Sequence, residues 1–241
     1  MSLISVRDLE VRHGLLRAVR GISFDIAKGE TVAFVGANGA GKTTLLRALA
    51  GAHLPLSGSV AFSGSNVTMV PSHLRVRSGI ALVPEGRRLF GDLSVTENML
   101  LGRAAHRSGN WTLDSVMEAL PQLKPVRNAL AKNLSGGQQQ AVAIGRALMT
   151  NPALLLLDEI SLGLSPAAID LVYAAINKLI KAGTTIVLVE QNLDRAIAVA
   201  DRLICMLEGS VVLEGQAKSL ERVQITNAYF GLGSSRRAGG H

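Results

Sequence analysis

One short stretch carries glycines, a lysine and threonines in an order suited to binding phosphate groups. Gly36 to Thr44 reads Gly-Ala-Asn-Gly-Ala-Gly-Lys-Thr-Thr and fits the pattern G-x-x-x-x-G-K-[ST]. Glycines let such a loop curl with its backbone N–H groups pointing inward, where a lysine and a hydroxyl can also reach phosphate oxygens. The candidate contacts are Gly36, Ala37, Asn38, Gly39, Ala40, Gly41, Lys42, Thr43 and Thr44.

The residues on either side of this loop predict a strand before it and a helix after it. Thr31 to Val35 is a short apolar run rich in β-branched residues, and leucines follow the loop at helical spacing as far as Leu49. The helix would add unpaired N–H groups and the positive end of its dipole. We therefore expect a triphosphate site in which Lys42 reaches the β and γ phosphates and the Thr43 hydroxyl binds Mg²⁺.

A second glycine-rich turn, Leu134-Ser-Gly-Gly-Gln138, also opens a predicted helix. Ser135 followed three residues later by Gln138 fits a capping box, in which each side chain satisfies a backbone N–H group of the other residue. The same N–H groups can instead bind an anion, so the two interpretations are compatible.

An apolar stretch, Ala153-Leu-Leu-Leu-Leu-Asp-Glu159, predicts a buried strand that ends in two carboxylates. Alternation along the strand would point Asp158 and Glu159 to different sides, so that one can meet Mg²⁺ while the other faces a water molecule. Solvated acids at a strand end are the alternative interpretation. The phosphate loop in the same chain favours the metal site.

Length and composition fit a single α/β domain with an insertion. The chain has 241 residues, 48% of them hydrophobic, and its apolar runs are far shorter than the ~20 residues that a membrane-spanning helix needs. Helical patterns replace strand patterns at about residues 85–134, which predicts a helical subdomain inserted into a core of residues 1–84 and 135–233. Residues 234–241 are predicted to be a disordered tail.

Charge and cysteine content narrow the possible partners and compartments. A formal charge of +7 permits a nucleic-acid partner or a site beside anionic lipid, but an aromatic content of 3% argues against stacking of single strands. A solvated basic face is the alternative. The start of the chain lacks the pattern of a signal peptide, so we expect a cytosolic location. The only cysteine, Cys205, excludes an internal disulfide and is expected to be a buried apolar residue.

Taken together, these motifs resemble the nucleotide-binding subunit of an ABC transporter over nearly the whole chain. Val83-Pro-Glu-Gly-Arg-Arg-Leu-Phe90, Val189-Glu-Gln-Asn192 and Asn227-Ala-Tyr-Phe-Gly231 are similar to segments of the smaller ATPase subunit of branched-chain amino acid importers. The resemblance implies an α/β P-loop NTPase with a RecA-like, mostly parallel sheet that has helices on both faces. It also implies an antiparallel β part near the amino terminus and the inserted helical subdomain.

By this resemblance the chain would hydrolyse ATP with Mg²⁺ in a head-to-tail dimer, formed with itself or with a paralogous ATPase subunit. One subunit's loop and the other's Leu134–Gln138 signature would enclose each nucleotide. Asp158 would support the magnesium, Lys42 would hold the phosphates, and Glu159 would orient and activate the attacking water. The candidate signature contacts are Ser135, Gly136, Gly137 and Gln138.

Three positions depart from the pattern of most family members. Glu85 stands where most have Gln, and it must bind Mg²⁺ directly or through water, or turn away. Gln191 stands where most have His; it can hydrogen-bond a γ-phosphate but carries no proton. His13 stands where an aromatic residue usually stacks on adenine, with an ordinary loop residue as the alternative. Glu85 and Gln191 are typical of the branched-chain subgroup, so they favour that subgroup within the ABC transporter family.

The resemblance further implies two transmembrane permease subunits, an extracytoplasmic substrate-binding protein that acts indirectly, no nucleic acid, and a peripheral position on the cytoplasmic face of the inner membrane. The turn Arg87-Arg88-Leu89-Phe90 is a candidate contact with a permease helix, with a basic solvated turn as the alternative. Other hypotheses are a soluble ABC ATPase that acts on nucleic acid or ribosomes, and a nucleotide-regulated binding module without hydrolysis. The single cassette speaks against the first, and Lys42, Ser135 and Glu159 speak against the second.

Overall fold

The computed structural model describes residues 2–232, which form two compact units. The first unit contains residues 2–69 and 187–232, and the second contains residues 70–186. The predicted tail, residues 234–241, lies outside the described residues. This division into two units does not test the boundaries of the helical insertion, so residues 85–134 stay a prediction for it.

The chain combines strands and helices, as expected for an α/β protein, and the two alternate from α5 to β9. The strands are β1 (Ser2–His13), β2 (Leu16–Ala27), β3 (Thr31–Val35), β4 (Ser57–Phe62), β5 (Ser65–Asn66), β6 (Ile80–Val83), β7 (Leu154–Asp158), β8 (Thr185–Glu190), β9 (Arg202–Leu207) and β10 (Ser210–Gln216). The helices are α1 (Lys42–Leu49), α2 (Ser72–Ser78), α3 (Val95–Leu100), α4 (Leu113–Ala119), α5 (Gly136–Leu148), α6 (Pro166–Lys181), α7 (Leu193–Val199) and α8 (Arg222–Phe230). Short 3₁₀ helices occupy Leu101–Ala105, Pro121–Val126 and Ala131–Asn133.

The first unit contains an antiparallel sheet with strand order β2-β1-β4-β5, and a second group of strands ordered β10-β9-β3. β3 runs parallel to β9, whereas β9 and β10 are antiparallel. Every residue of β3 is buried, as expected for a central strand. The Phe24 and Phe34 rings meet edge to face with centroids 5.1 Å apart, so β2 and β3 share one core.

The β1–β2 hairpin is longer than the sequence predicted. The sequence pattern, with turn signals at Gly14 and Gly29, predicts strands at residues 3–12 and 21–27 and places His13 in a loop. In the structure, His13 ends β1 and pairs with Leu16. Only Gly14 and Leu15 form the turn, because the left-handed backbone of Gly14, with φ at +59°, permits a two-residue connection. The antiparallel β part near the amino terminus is confirmed.

The second unit is organised around α5, the helix that begins in the Leu134–Gln138 turn. α5 packs against α3, α4 and α6, and β6 runs parallel to β7 with Val83 opposite Leu157. All five residues of β7 are buried, which matches the leucine run in the sequence. The longest helix of residues 2–232 is α6 with 16 residues, and no helix in that range is long and apolar enough to cross a bilayer.

One buried asparagine fixes the loop between β6 and α3. The Asn98 side chain is fully buried, and its Oδ1 accepts from the backbone N–H of Phe90 at 3.0 Å. Its Nδ2 lies 3.0, 3.1 and 3.0 Å from the carbonyl oxygens of Phe90, Leu93 and Ser94. Because these carbonyls face a buried side chain, the loop depends on this one amide.

Replacing this amide should therefore destabilise the chain. We expect Asn98→Ala to lower the free energy of unfolding by about 2–3 kcal/mol, because it leaves buried backbone groups without their hydrogen bonds. Urea unfolding of the full-length chain measures the change. The exposed Asn128 is a matched control, and Asn128→Ala should change stability by no more than about 0.5 kcal/mol. Equal effects of the two substitutions would contradict the assigned role.

Candidate functional site

The glycine-rich loop lies between β3 and α1, as the sequence predicted. Gly39 and Gly41 have left-handed backbones, with φ of +82° and +98°. Gly41 is the N-cap of α1 and supplies no side-chain cap, so the first N–H groups of the helix face the loop without a side-chain acceptor. A loop of this shape, leading into a helix, fits a bound phosphate group.

Two of the loop glycines touch neighbouring backbone. A Cβ atom added to Gly41 would overlap the carbonyl oxygen of Ala18 in β2, and one added to Gly36 would overlap the carbonyl oxygen of Met206 in β9. A Cβ on Gly39 would meet nothing within 4 Å. Positions 36 and 41 are therefore restricted by space as well as by backbone conformation, whereas position 39 is restricted by conformation alone.

Lys42 places a buried positive charge inside the loop. Its side chain is 3% exposed, and Nζ donates to the carbonyl oxygens of Gly36 at 2.7 Å and Ala37 at 3.0 Å. An ammonium held inside a glycine-rich loop is also placed to donate to a phosphate oxygen. The residues present fit a polyphosphate anion.

Cys205 lies opposite Val35, at the end of the strand that leads into the loop. Burial raises the pKa of the Cys205 thiol to about 11, although the positive charge of Lys42 acts in the opposite direction. The thiol is therefore protonated at neutral pH, and the expectation of a buried apolar residue is confirmed.

His13 is exposed at the end of β1 and lies beside a second histidine that the sequence did not single out. The ring centroids of His13 and His53 are 5.9 Å apart, with planes tilted by 36°. The His53 Nε2 lies 2.6 Å from the carbonyl oxygen of Arg12, which fixes its ring beside the hairpin end. The two rings form a partly polar surface at the end of the hairpin.

Gln191 follows β8 directly and is half-buried. The preceding residue, Glu190, is 3% exposed, and its Oε1 accepts from the backbone N–H groups of Gln191 and Asn192, both at 3.0 Å. This buried carboxylate shapes the turn that carries Gln191. Sequence reasoning missed Glu190, although its place at the end of an apolar strand resembles that of Asp158.

In the second unit, Glu85 and the Asp158-Glu159 pair follow the carboxyl ends of two neighbouring parallel strands, β6 and β7. Asp158 is fully buried and ends β7, whereas Glu85 is exposed. Glu159 is half-buried and has a left-handed backbone with φ at +45°. The two adjacent carboxylates are thus separated by a sharp turn and not, as we expected, by alternation along one strand.

The signature turn adopts the predicted capping box. Ser135 is the N-cap of α5; its Oγ accepts from Gln138 N at 3.3 Å, while Gln138 Oε1 accepts from Ser135 N at 3.0 Å. The hydroxyl proton of Ser135 and the N–H groups of Gly136 and Gly137, the first two helical residues, point to no acceptor among the bonds of residues 2–232. The capping box and anion binding therefore remain compatible.

The candidate residues divide between the two units. His13, the loop Gly36–Thr44 and Gln191 lie in the first unit, and Glu85, the signature Ser135–Gln138 and the Asp158-Glu159 pair lie in the second. Within residues 2–232, no group of three or more His, Cys, Asp or Glu side chains could hold a metal ion by itself. A magnesium site would need oxygen atoms from threonine or phosphate as well.

Comparison with known proteins identifies the family. A family model described as ABC transporter matches residues 19–161, more than half of the chain. The chain belongs to the ABC transporter family. It is an ABC ATPase, a protein that binds ATP, and the expected P-loop NTPase fold is confirmed.

Relatives of this ABC ATPase include a protein of similar length. It is 40% identical over 232 residues to the high-affinity branched-chain amino acid transport ATP-binding protein BraG of Pseudomonas aeruginosa, covering 95% of this chain and all of BraG. The ADP conformation of an ATP-binding cassette from an ABC transporter matches with 26% identity and a TM-score of 0.81, over 96% of this chain and 99% of that one. A dimeric bacterial ABC transporter cassette matches with 25% identity and a TM-score of 0.79, over 90% and 100%.

The two loop glycines allow a direct test of the close approach in this ABC ATPase. Gly41→Ala and Gly39→Ala share the strain of a left-handed backbone, about 1–2 kcal/mol. Only Gly41→Ala adds an overlap with Ala18, so we expect it to lower the free energy of unfolding of the nucleotide-free chain by about 1–3 kcal/mol more than Gly39→Ala does. Denaturant unfolding of both variants measures the difference; equal losses would show that space does not restrict position 41.

Proposed function

We propose that this chain is the ATP-hydrolysing subunit of a membrane importer for branched-chain amino acids or related amino acids and amides. The observation that carries the proposal is the 40% identity to BraG, which extends over the whole length of that protein. The ABC transporter family model supports transport in general, whereas similarity to BraG over its whole length supports branched-chain amino acids as the class of solute. The relatives are transport proteins, which favours an importer over an ATPase acting on nucleic acid or ribosomes.

We assign the loop Gly36–Thr44 to the phosphates of ATP, with Lys42 on the β and γ phosphates. The buried ammonium and the uncapped start of α1 support this role, because both favour negative charge. His13 would stack on the adenine. Its exposed ring, held beside His53, supports this assignment.

Hydrolysis would depend mainly on Glu159, which would orient and activate the attacking water. Its half-buried position and left-handed backbone are typical of residues that a protein holds for function. Gln191 would hydrogen-bond the γ-phosphate through its amide, and Glu190 would hold its backbone in place. The reaction then proceeds by positioning and electrostatic stabilisation, with no covalent intermediate on the protein.

Mg²⁺, when bound, would neutralise phosphate charge and polarise the terminal phosphate. The Thr43 hydroxyl and the Asp158 carboxylate would hold it, and Glu85 would contribute directly or through water. All three offer oxygen atoms, which magnesium prefers. Glu85 is exposed and therefore able to approach or withdraw.

The signature residues Ser135, Gly136, Gly137 and Gln138 would contact the ATP bound by the opposing subunit of a head-to-tail dimer. The dimeric cassette that this chain resembles supports such a pairing, with a second copy or with a paralogous ATPase. Two transmembrane permeases would complete the importer, with a substrate-binding protein outside the membrane. The chain would lie at the cytoplasmic face of the inner membrane, held by contacts of the exposed Phe90 turn.

The role of Glu159 predicts a variant that binds ATP without hydrolysing it. Glu159→Gln should lower the rate of phosphate release by about 10²–10⁴-fold, the usual contribution of a general base, while ATP affinity stays the same. Phosphate release and nucleotide binding by the purified full-length chain measure the two quantities. Glu118→Gln, at an exposed carboxylate of α4, is the matched control and should leave both unchanged. Near-normal turnover of Glu159→Gln would refute the assignment.

The proposed solute class is tested by uptake in cells. Deleting the gene for this chain should abolish high-affinity uptake of leucine, and a plasmid copy should restore it, whereas a Lys42→Ala copy should not. Uptake of an unrelated sugar serves as the control for membrane integrity and energy supply. If leucine uptake persists and another solute is lost, the chain is an importer ATPase of a different specificity.

A further inference from the structure

An unusual turn connects β6 to the loop before α3. Gly86, Arg87 and Arg88 all have left-handed backbones, with φ of +75°, +63° and +50°. Two consecutive arginines in this region are strained, so neighbouring contacts must hold them there. Arg88 N donates to Gly86 O at 2.6 Å, which closes the turn.

The signature helix α5 holds Arg87 at two points. The Arg87 Nη1 donates to Gln139 Oε1 at 3.0 Å, and Arg146 Nη2 donates to the carbonyl oxygen of Arg87 at 3.1 Å. Gln139 and Arg146 are seven residues apart, which is two helical turns, so they lie on the same face of α5. The side chain and the backbone of Arg87 are therefore both attached to this helix.

The guanidinium of Arg87 also lies against the first turn of α5. A Cβ added to Gly136 would stand 3.2 Å from Arg87 Nη2 and 3.3 Å from Leu164 Cδ2, so the glycine leaves the room that the guanidinium uses. No ion pair neutralises Arg87 within residues 2–232. A cation at the amino end of a helix is repelled by the helix dipole, and an anion bound at the same turn would offset that repulsion.

We propose that Arg87 is a positioning residue for ATP hydrolysis. It fixes Gly136 and the first turn of α5 through Gln139, and it adds a positive charge there when the terminal phosphate of ATP is bound to the signature turn. This inference rests on the proposed function of that turn.

The test compares Arg87→Ala with Arg103→Ala in the purified full-length chain. Arg103 is an exposed arginine of the second unit, and the bonds described for residues 2–232 give its side chain no partner, so it controls for loss of one charge. We expect Arg87→Ala to lower kcat by about 10- to 100-fold, because a misplacement of about 1 Å in a catalytic site can lower the rate by about 100-fold. ADP affinity and melting temperature should equal those of Arg103→Ala, because ADP lacks the terminal phosphate. Arg87→Lys, which keeps the charge, should recover part of the turnover.

A double-mutant cycle tests the route through Gln139. If Arg87 acts on the turn through this side chain, the Arg87→Ala/Gln139→Ala chain should have the same kcat as Arg87→Ala alone. ATP-dependent dimerisation in the Glu159→Gln background, followed by size-exclusion chromatography, should weaken with Arg87→Ala and not with Arg103→Ala. If Arg87→Ala fails to fold, Arg87→Gln replaces it in every comparison.

The inference is overturned if turnover of Arg87→Ala lies within about twofold of the Arg103→Ala control, or if the effects of the two substitutions in the cycle add. It is also overturned if the melting temperature and the ADP affinity of Arg87→Ala fall together with turnover, because that result indicates a structural role. These outcomes are distinct from failure of the proposed function. That function fails if the unaltered chain releases no phosphate from ATP either alone or together with a paralogous ATPase subunit, whereas this inference fails if the unaltered chain and Arg87→Ala release it equally fast.

Discussion

The structure depends on the close approach of two backbone carbonyls to the glycine loop. Ala18 in β2 and Met206 in β9 occupy the space where side chains at positions 41 and 36 would lie. Because these strands border the loop, they restrict its curvature, and Lys42 is held inside it by bonds to the carbonyl oxygens of Gly36 and Ala37. An anion would therefore meet a prepared site, with little reorganisation needed.

Much of the fold and the site could be predicted because the relevant signals are local. The apolar runs before Gly36 and Asp158 predicted buried strands, and Ser135 with Gln138 predicted a cap, and each lies where expected. The conformations of Arg87 and Glu159 could not be predicted, because residues other than glycine adopt left-handed backbones only when tertiary contacts hold them. His53 and Asn98 were missed for a related reason: their partners are far away in sequence or are backbone atoms.

The signature turn shows how one local structure can serve stability and ligand binding together. The capping box uses the N–H groups of Ser135 and Gln138 and leaves those of Gly136 and Gly137 to other acceptors. A cap that satisfied every group would be more stable and would leave nothing for an anion. An anion bound at this turn would also offset the repulsion between the helix dipole and the charge of Arg87, which lies beside Gly136.

The single thiol of the chain has a practical consequence. Cys205 is buried in β9 and its pKa is raised to about 11, so at neutral pH it is neither exposed nor ionised. A cysteine introduced on the surface, at Phe90 for example, would be the one site open to maleimide chemistry. Fluorescent or spin labels could then be attached at chosen points without first removing a native residue, and the distances between labelled subunits could be followed through the nucleotide cycle.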